Sequence, residues 1–279
     1  MSSTSRVALV TGASSGIGLA TAEALLRAGW TVYGGARRVD KMAPVEAAGG
    51  TALALDVTDD ALMQAFVQTV LDREGRIDAL VNNAGYGEYG AVEDVPMDAV
   101  RRQFEVNVFG LGRMTQLVLP TMRAQRAGRI VNVSSIGGKI YSPMGAWYHA
   151  TKHAVEGLSD ALRLELHDFG IDVVVVEPGA IKTEWDGVAT ETMMETSGEG
   201  AYADFAARTE RFMRAAYENG NGSPPSVIAD VIVEAVTAAK PKTRYAAGDR
   251  ATLAIASRWL LPDRAFDAFM RSEMKKANR

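Results

Sequence analysis

Four successive valines, Val173-Val174-Val175-Val176, constrain the fold of this chain more than any other feature. Neighbouring side chains of a strand point to opposite faces. A run that is apolar at every position therefore needs cover on both faces, as the strands of a parallel sheet have. This run belongs to a strand over 171–177, and six more strand-like runs lie at 7–11, 31–34, 51–56, 77–82, 129–134 and 243–247. Helical patterns near 17–28, 59–74, 98–126 and 148–169 separate most of them. This alternation predicts the α/β class: a seven-stranded, mostly parallel, doubly wound sheet with helices on both faces and right-handed crossovers. A length of 279 residues suits a single domain spanning 1–279.

Composition mainly excludes. The formal net charge of −4 offers no basic footprint for nucleic acid, so no nucleic-acid partner is expected. The chain has no cysteine, which removes disulfides, thiolate chemistry and cysteine metal sites. Of the three histidines, His149 and His153 are four apart and could clamp a metal. No carboxylate cluster joins them at ligand spacing, so they read as helix-surface or pocket-edge residues and no metal is expected. No apolar run approaches a membrane span, and residues 1–6 lack the apolar stretch of a signal peptide, so a cytoplasmic protein without an integral membrane segment is expected.

Two regions carry less regular patterns. Residues 179–200, rich in Thr, Glu, Gly and Met, follow the sixth strand, where open α/β sheets build ligand crevices. A mobile substrate lid over about 180–215 is expected there, the plainer alternative being a disordered connection. Ser223-Pro224-Pro225 marks a helix start, and a C-terminal extension over about 249–275 reads as amphipathic helices. Those helices could serve as a lid, a subunit surface or a membrane contact. Their mixed charges favour the first two.

Thr11-Gly12-Ala13-Ser14-Ser15-Gly16-Ile17-Gly18 joins the first strand to the first helix. Gly12 permits a sharp turn, Gly16 lets backbone approach a phosphate, and Gly18 allows close helix–strand packing. The helix start then offers free N–H groups to a pyrophosphate. The second strand leads to Ala36-Arg37-Arg38, with no acid for a ribose 2′-hydroxyl and two guanidiniums for a 2′-phosphate. That favours NADP(H) over NAD(H). Asp56-Val57 ends the third strand, where a carboxylate can meet an adenine amino group.

Tyr148 and Lys152, four residues apart in a helical pattern, project from one face. A nearby ammonium lowers a phenol's pKa and makes it a usable general acid or base. In order, the glycine turn, Asn82-Asn83-Ala84-Gly85, Asn107, Ser134-Ser135, the Tyr148–Lys152 pair and Pro178-Gly179 resemble the short-chain dehydrogenase/reductase family over roughly 6–247. Tyr245-Ala246-Ala247-Gly248-Asp249 and the Leu260-Leu261-Pro262-Asp263 tail resemble its hydroxysteroid- and retinol-dehydrogenase-like branch.

The resemblance implies a Rossmann fold and a catalytic tetrad of Asn107, Ser135, Tyr148 and Lys152. Ser135, thirteen residues before Tyr148, is the serine its pattern selects over Ser134. Ser135 is expected to hold the substrate oxygen and Tyr148 to exchange its proton. Lys152 is expected to tune Tyr148 and bind the nicotinamide ribose, and Asn107 to support a water relay. Cofactor contacts are implied at Gly12, Ser14, Ser15, Gly16, Ile17 and Gly18, then at Arg37, Arg38, Asp56 and Val57. Others fall at Asn83, Ala84, Gly85, Tyr148, Lys152, Pro178, Gly179 and Thr183.

Substrate contacts are expected at Ser135, Tyr141, Met144, Tyr148 and Trp185, in an apolar pocket that also draws on Pro143, Trp147, Met193, Met194, Phe205 and Phe212. The expected activity is NADP(H)-dependent interconversion of a small hydrophobic alcohol and its ketone or aldehyde, in a homodimer or homotetramer. The alternative, a non-catalytic NADP(H) sensor on the same fold, would not need the tyrosine and lysine.

Overall fold

The computed structural model describes residues 5–217 and 221–277. Seven parallel strands form one sheet: β1 (Val7–Thr11), β2 (Thr31–Ala36), β3 (Thr51–Ala54), β4 (Ala79–Asn82), β5 (Gly128–Val133), β6 (Ile171–Pro178) and β7 (Arg244–Ala247). Their order is β3-β2-β1-β4-β5-β6-β7, as expected for a doubly wound sheet. The period-two alternation of a strand explains its doubly apolar runs. Val7 and Leu9 of β1 join one core layer and Ala8 and Val10 the other, and Val173 and Val174 of β6 divide in the same way.

Helices α1 (Gly16–Arg27) and α9 (Pro225–Thr237) cover one face with Ala22, Leu25, Ile228 and Ile232. Helices α3 (Asp60–Glu74) and α5 (Leu111–Gln125) cover the other with Phe66, Val70, Met114 and Val118. Each such side chain taken fully from water contributes about 1.5–3 kcal/mol. Because both layers are closed, the sheet is fixed in register and its carboxyl edge is a rigid platform. The order reverses between β1 and β4, so their carboxyl ends diverge into a crevice.

The remaining helices are α2 (Ala43–Ala47), α4 (Met97–Phe104), α6 (Ala146–Leu166), α7 (Trp185–Ser197), α8 (Ala203–Ala215), α10 (Ala251–Leu260) and α11 (Asp263–Ala277). The single helix expected over 98–126 is broken by a π-helical turn at Glu105–Gly110, between α4 and α5. Hydrophobic spacing does not reveal such a turn, because its buried residues still recur at intervals of three and four. The irregular stretch expected over 179–200 is largely helical. Ala189 and Met193, one turn apart on α7, are fully buried against a third core layer that also holds Tyr89, Tyr148 and Ala206 of α8. Small and polar residues around that narrow stripe diluted its periodicity. Among the described residues no helix is long and apolar enough to cross a membrane.

Candidate active site

A cleft of about 1070 Å³ opens over the carboxyl edge of the sheet. At its nucleotide end the chain leaves β1 through Gly12 (φ +69°) and enters α1 at Gly16 (φ +53°), left-handed conformations that favour glycine. A Cβ on Gly18 would lie 2.2 Å from the Gly12 oxygen, so the helix can reach the strand only without a side chain there. Gly18 is packing and does not border the cleft. Ser15 precedes α1 without a side-chain bond to its opening N–H groups, leaving them for a ligand. Thr11 ties the β4 end to this turn: its Oγ1 accepts from Asn83 N and Ala84 N, both at 3.0 Å.

Gly12, Ser14, Ser15, Gly16, Ile17, Arg37, Arg38, Asp56, Val57, Asn83, Ala84, Gly85, Pro178, Gly179 and Thr183 all border the cleft. Burial pushes the Asp56 carboxyl up, but hydrogen bonds from Thr58 and the charges of Arg37 and Arg102 outweigh it and hold Asp56 below the usual carboxylate range. Arg38 spans the opening: one guanidinium nitrogen donates to Ser15 Oγ at 3.3 Å and meets Glu184 Oε2 at 3.4 Å.

The end of β5, the turn that follows it and α6 meet at the chemical centre. Ser135 leaves β5 and caps a short 3₁₀ turn, Ile136–Gly138, where its Oγ accepts from Gly137 N at 3.0 Å. Tyr148 and Lys152 stand on consecutive turns of α6, both buried, and both border the cleft with Ser135. Burial pushes Tyr148 up to about 12, while the Ser135 hydroxyl pulls it down. Burial likewise pushes Lys152 down to about 8, while Glu156 pulls it up.

Lys152 is expected to lower the pKa of the Tyr148 phenol, but in this structure burial raises it and Lys152 is not among the groups acting on it. Lys152 Nζ donates to Val133 O at 2.9 Å and lies 5.9 Å from the tyrosine ring centre, and desolvation dominates both groups. Tyr148 is held as a neutral acid.

Asn107 sits in the π-helical turn behind Gly85 and does not border the cleft. Its Oδ1 accepts from Tyr86 N at 3.0 Å, and its Nδ2 donates to Tyr86 O at 2.8 Å and Thr151 Oγ1 at 3.1 Å. The amide thus joins the loop after β4 to α6. Ser134, beside Ser135, borders the cleft with a buried hydroxyl that has no hydrogen-bond partner.

The substrate residues divide. Trp185 borders the cleft and lies 5.2 Å from the Tyr148 ring, and Phe212 borders it farther out. Tyr141 instead donates to Asp267 at 2.9 Å and packs on Phe266, docking α11. Met144 (φ +62°) is buried beneath Tyr89 and Tyr148. Pro143, Trp147, Met193, Met194 and Phe205 also do not border the cleft.

Two features had no usable sequence signal. Tyr89 is buried 5.6 Å from the Tyr148 ring, and Leu253 and Phe269 bring α10 and α11 to the outer cleft wall. His149 Nε2 accepts from Ser142 N at 2.9 Å, which makes Nδ1 the donor to Gly137 O at 2.9 Å. It latches the 136–145 loop to α6. His153 Nδ1 bonds the His149 backbone oxygen, and no metal-like group of His, Asp and Glu exists among the described residues.

The family model for short chain dehydrogenases matches residues 6–194. The chain belongs to the short-chain dehydrogenase/reductase family. This short-chain dehydrogenase/reductase is 37% identical to a 3-ketodihydrosphingosine reductase of Bacteroides thetaiotaomicron, covering 92% of this chain and 94% of the relative. It is 35% identical to an NADPH-dependent 3-dehydrocapnine reductase of Ornithobacterium rhinotracheale, over 97% and 98%. A solved short-chain dehydrogenase from Streptomyces avermitilis superposes with a TM-score of 0.80 at 36% identity, covering 99% of this chain and 98% of that one.

Proposed function

We propose that this short-chain dehydrogenase/reductase interconverts a hydrophobic secondary alcohol and ketone, or an alcohol and aldehyde, by hydride transfer with NADP(H). The observation that carries the reading is the convergence of Ser135, Tyr148 and Lys152 on the wall of a cleft whose other end is a glycine turn flanked by Arg37 and Arg38. The residues fit a dinucleotide: α1 offers uncapped N–H groups, and Gly12 and Gly16 supply the left-handed turn that brings the helix start to the cleft. Arg37 and Arg38 beyond Ala36 suit a 2′-phosphate. One relative is named for a keto substrate and another for NADPH dependence, which supports the same reading.

A bound nicotinamide supplies the hydride to a carbonyl carbon, or accepts it in the oxidative direction. Ser135 donates to the carbonyl oxygen and orients it. Tyr148 passes its proton to that oxygen in the reductive direction and takes one back in the oxidative direction. Lys152 holds the nicotinamide ribose and supports recharging of Tyr148. Asn107, bound to Tyr86 and Thr151, keeps the loop after β4 at the right distance from α6. Trp185, Val188, Phe212, Met213, Leu253 and Phe269 provide an apolar wall, beside which Arg250 and Glu273 also border the cleft, and the wall suits a hydrophobic substrate.

The test is NADPH consumption over a panel of aryl, alkyl and polycyclic ketones and aldehydes. Turnover is expected with apolar ketones. Tight NADPH binding without turnover across the panel would overturn the enzymatic reading in favour of a sensor.

A further inference from the structure

Five carboxylates border the cleft: Asp56, Glu88, Glu184, Asp249 and Glu273. Four of them are already engaged. Asp56 accepts from Thr58, Glu184 pairs with Arg38, Asp249 with Arg250, and Glu273 with Lys276. Among the described residues, the Glu88 carboxylate has neither a hydrogen bond nor an ion pair. Arg102 and Arg250 also border the cleft, yet neither pairs with it. Its charged neighbour is another acid, Glu195 of α7. A carboxylate drawn partly out of water without a partner costs free energy that a bound cation would offset.

The segment carrying Glu88 is held at three points. Asn107 bonds both backbone groups of Tyr86, Glu88 O accepts from Gln103 Nε2 at 3.3 Å, and Gly90 N donates to Met144 O at 2.8 Å. Glu88 therefore stands on fixed backbone, and that backbone runs past the reacting tyrosine. Its neighbour Tyr89 lies 5.6 Å from the Tyr148 ring, and a Cβ on Gly87 would come within 2.7 Å of Trp185. Tyr89, Tyr148 and Trp185 all border the cleft, with ring centres 5.2 to 5.8 Å apart. Aromatic rings attract a cation brought within about 6 Å of a ring centre. We propose that Glu88 is a specificity-determining residue that selects substrates carrying an ammonium group close to the reacting carbonyl. The proposal rests on the reading of the cleft as a hydride-transfer site, and it narrows the substrate from an apolar ketone to an apolar amino ketone. The ammonium donates to the Glu88 carboxylate beside the three rings, and the hydrocarbon part lies along the wall formed by Val188, Phe212 and Leu253. Burial and Glu195 push the Glu88 carboxyl up, a cost that the same ammonium relieves.

Binding and turnover, measured separately, keep the proposal apart from the reading beneath it. Octylamine and octanol are titrated calorimetrically into NADPH-loaded wild type, Glu88→Gln and Glu88→Asp at about pH 6.5, where the amine is charged and the alcohol is not. Wild type should bind the amine about tenfold or more tightly than the alcohol, as one charge-assisted hydrogen bond allows. Glu88→Gln should abolish that preference and Glu88→Asp should keep part of it. Taking the ratio within each protein cancels any general loss of binding. Equal affinities in wild type, or a preference that survives in Glu88→Gln, would overturn the proposal. Should Glu88→Gln fail to fold, Glu88→Asp decides, since a lowered ratio is expected and an unchanged one refutes. Turnover should follow the same ranking: kcat/KM for aminomethyl hexyl ketone should exceed that for hydroxymethyl hexyl ketone in wild type, but not in Glu88→Gln. Reduction of neither ketone, with octylamine still bound through Glu88, would instead remove the hydride-transfer reading and leave the ammonium site standing.

Discussion

The two ends of the cleft are built from different materials. At the nucleotide end, backbone does the work: glycines with positive φ, uncapped N–H groups at α1 and the Thr11 hydroxyl binding two amides. At the substrate end, side chains of α7, α8, α10 and α11 form the wall, and their contacts are mainly apolar. Backbone geometry tolerates few alternatives, whereas apolar walls accept many side chains of similar volume. One cofactor end can therefore serve many substrate ends, and changes at the two ends should affect different measurements.

The sharpest division falls at the chemical centre between them. Tyr148→Phe should lower turnover by roughly 10²–10⁴-fold, the range for general acid–base catalysis, while NADPH affinity, measured by fluorescence titration, stays nearly constant. Ser135→Ala should be severe and Ser134→Ala mild; the reverse ranking would move the substrate oxygen to the neighbouring serine. Next in size, Arg37→Ala should reduce the preference for NADPH over NADH by about tenfold, the loss of one charge-assisted hydrogen bond. An unchanged ratio would show that the nucleotide end does not read the 2′-phosphate through Arg37.

At the other end, Phe212→Ala should raise KM for an apolar ketone a few-fold and leave the cofactor ratio alone. If the cofactor ratio moved instead, the two ends would be coupled and the comparison would fail. Limited proteolysis with and without NADPH and a substrate analogue tests the proposed 180–215 lid. Ligand should suppress cleavage there, and equal protection in both states would make α7 and α8 fixed walls.

The smallest effect is thermal. Glu177 titrates higher in the folded chain, about 7, than its ordinary 4.5. The native state therefore binds more protons than the unfolded state between those values, and stability falls as pH rises through them. Glu177→Gln removes that dependence. Its melting temperature relative to wild type should rise by roughly 2–4 °C between pH 5 and pH 8. A difference that does not vary with pH would contradict the assignment.

The same division sets what was legible in the sequence. Glycines, strand-end polar residues and the Tyr148–Lys152 spacing follow from local backbone requirements, so the sheet and the residues bordering the nucleotide end could be read directly. Tyr141 and Met144 could not be placed. Their positions depend on Asp267, more than a hundred residues away in sequence, and on a left-handed turn at a non-glycine residue. Tyr89 was hidden for the same reason: its burial is created by α7 and α8 folding over it. The helicity of α7 rests on so few apolar positions that only the packed structure reveals it.

The Arg38–Glu184 contact has a consequence for how ions enter. Its partners are 52% and 70% exposed, so the pair contributes about 1 kcal/mol or less and is screened by salt. An arriving anion must compete with Glu184 for Arg38, but it displaces a weak and dynamic bond. Raising ionic strength loosens that bond while also weakening the long-range pull of the guanidiniums on the anion. The two tendencies oppose each other, so the rate of anion capture at this opening should vary less steeply with salt than the pull of an unpaired Arg38 would dictate.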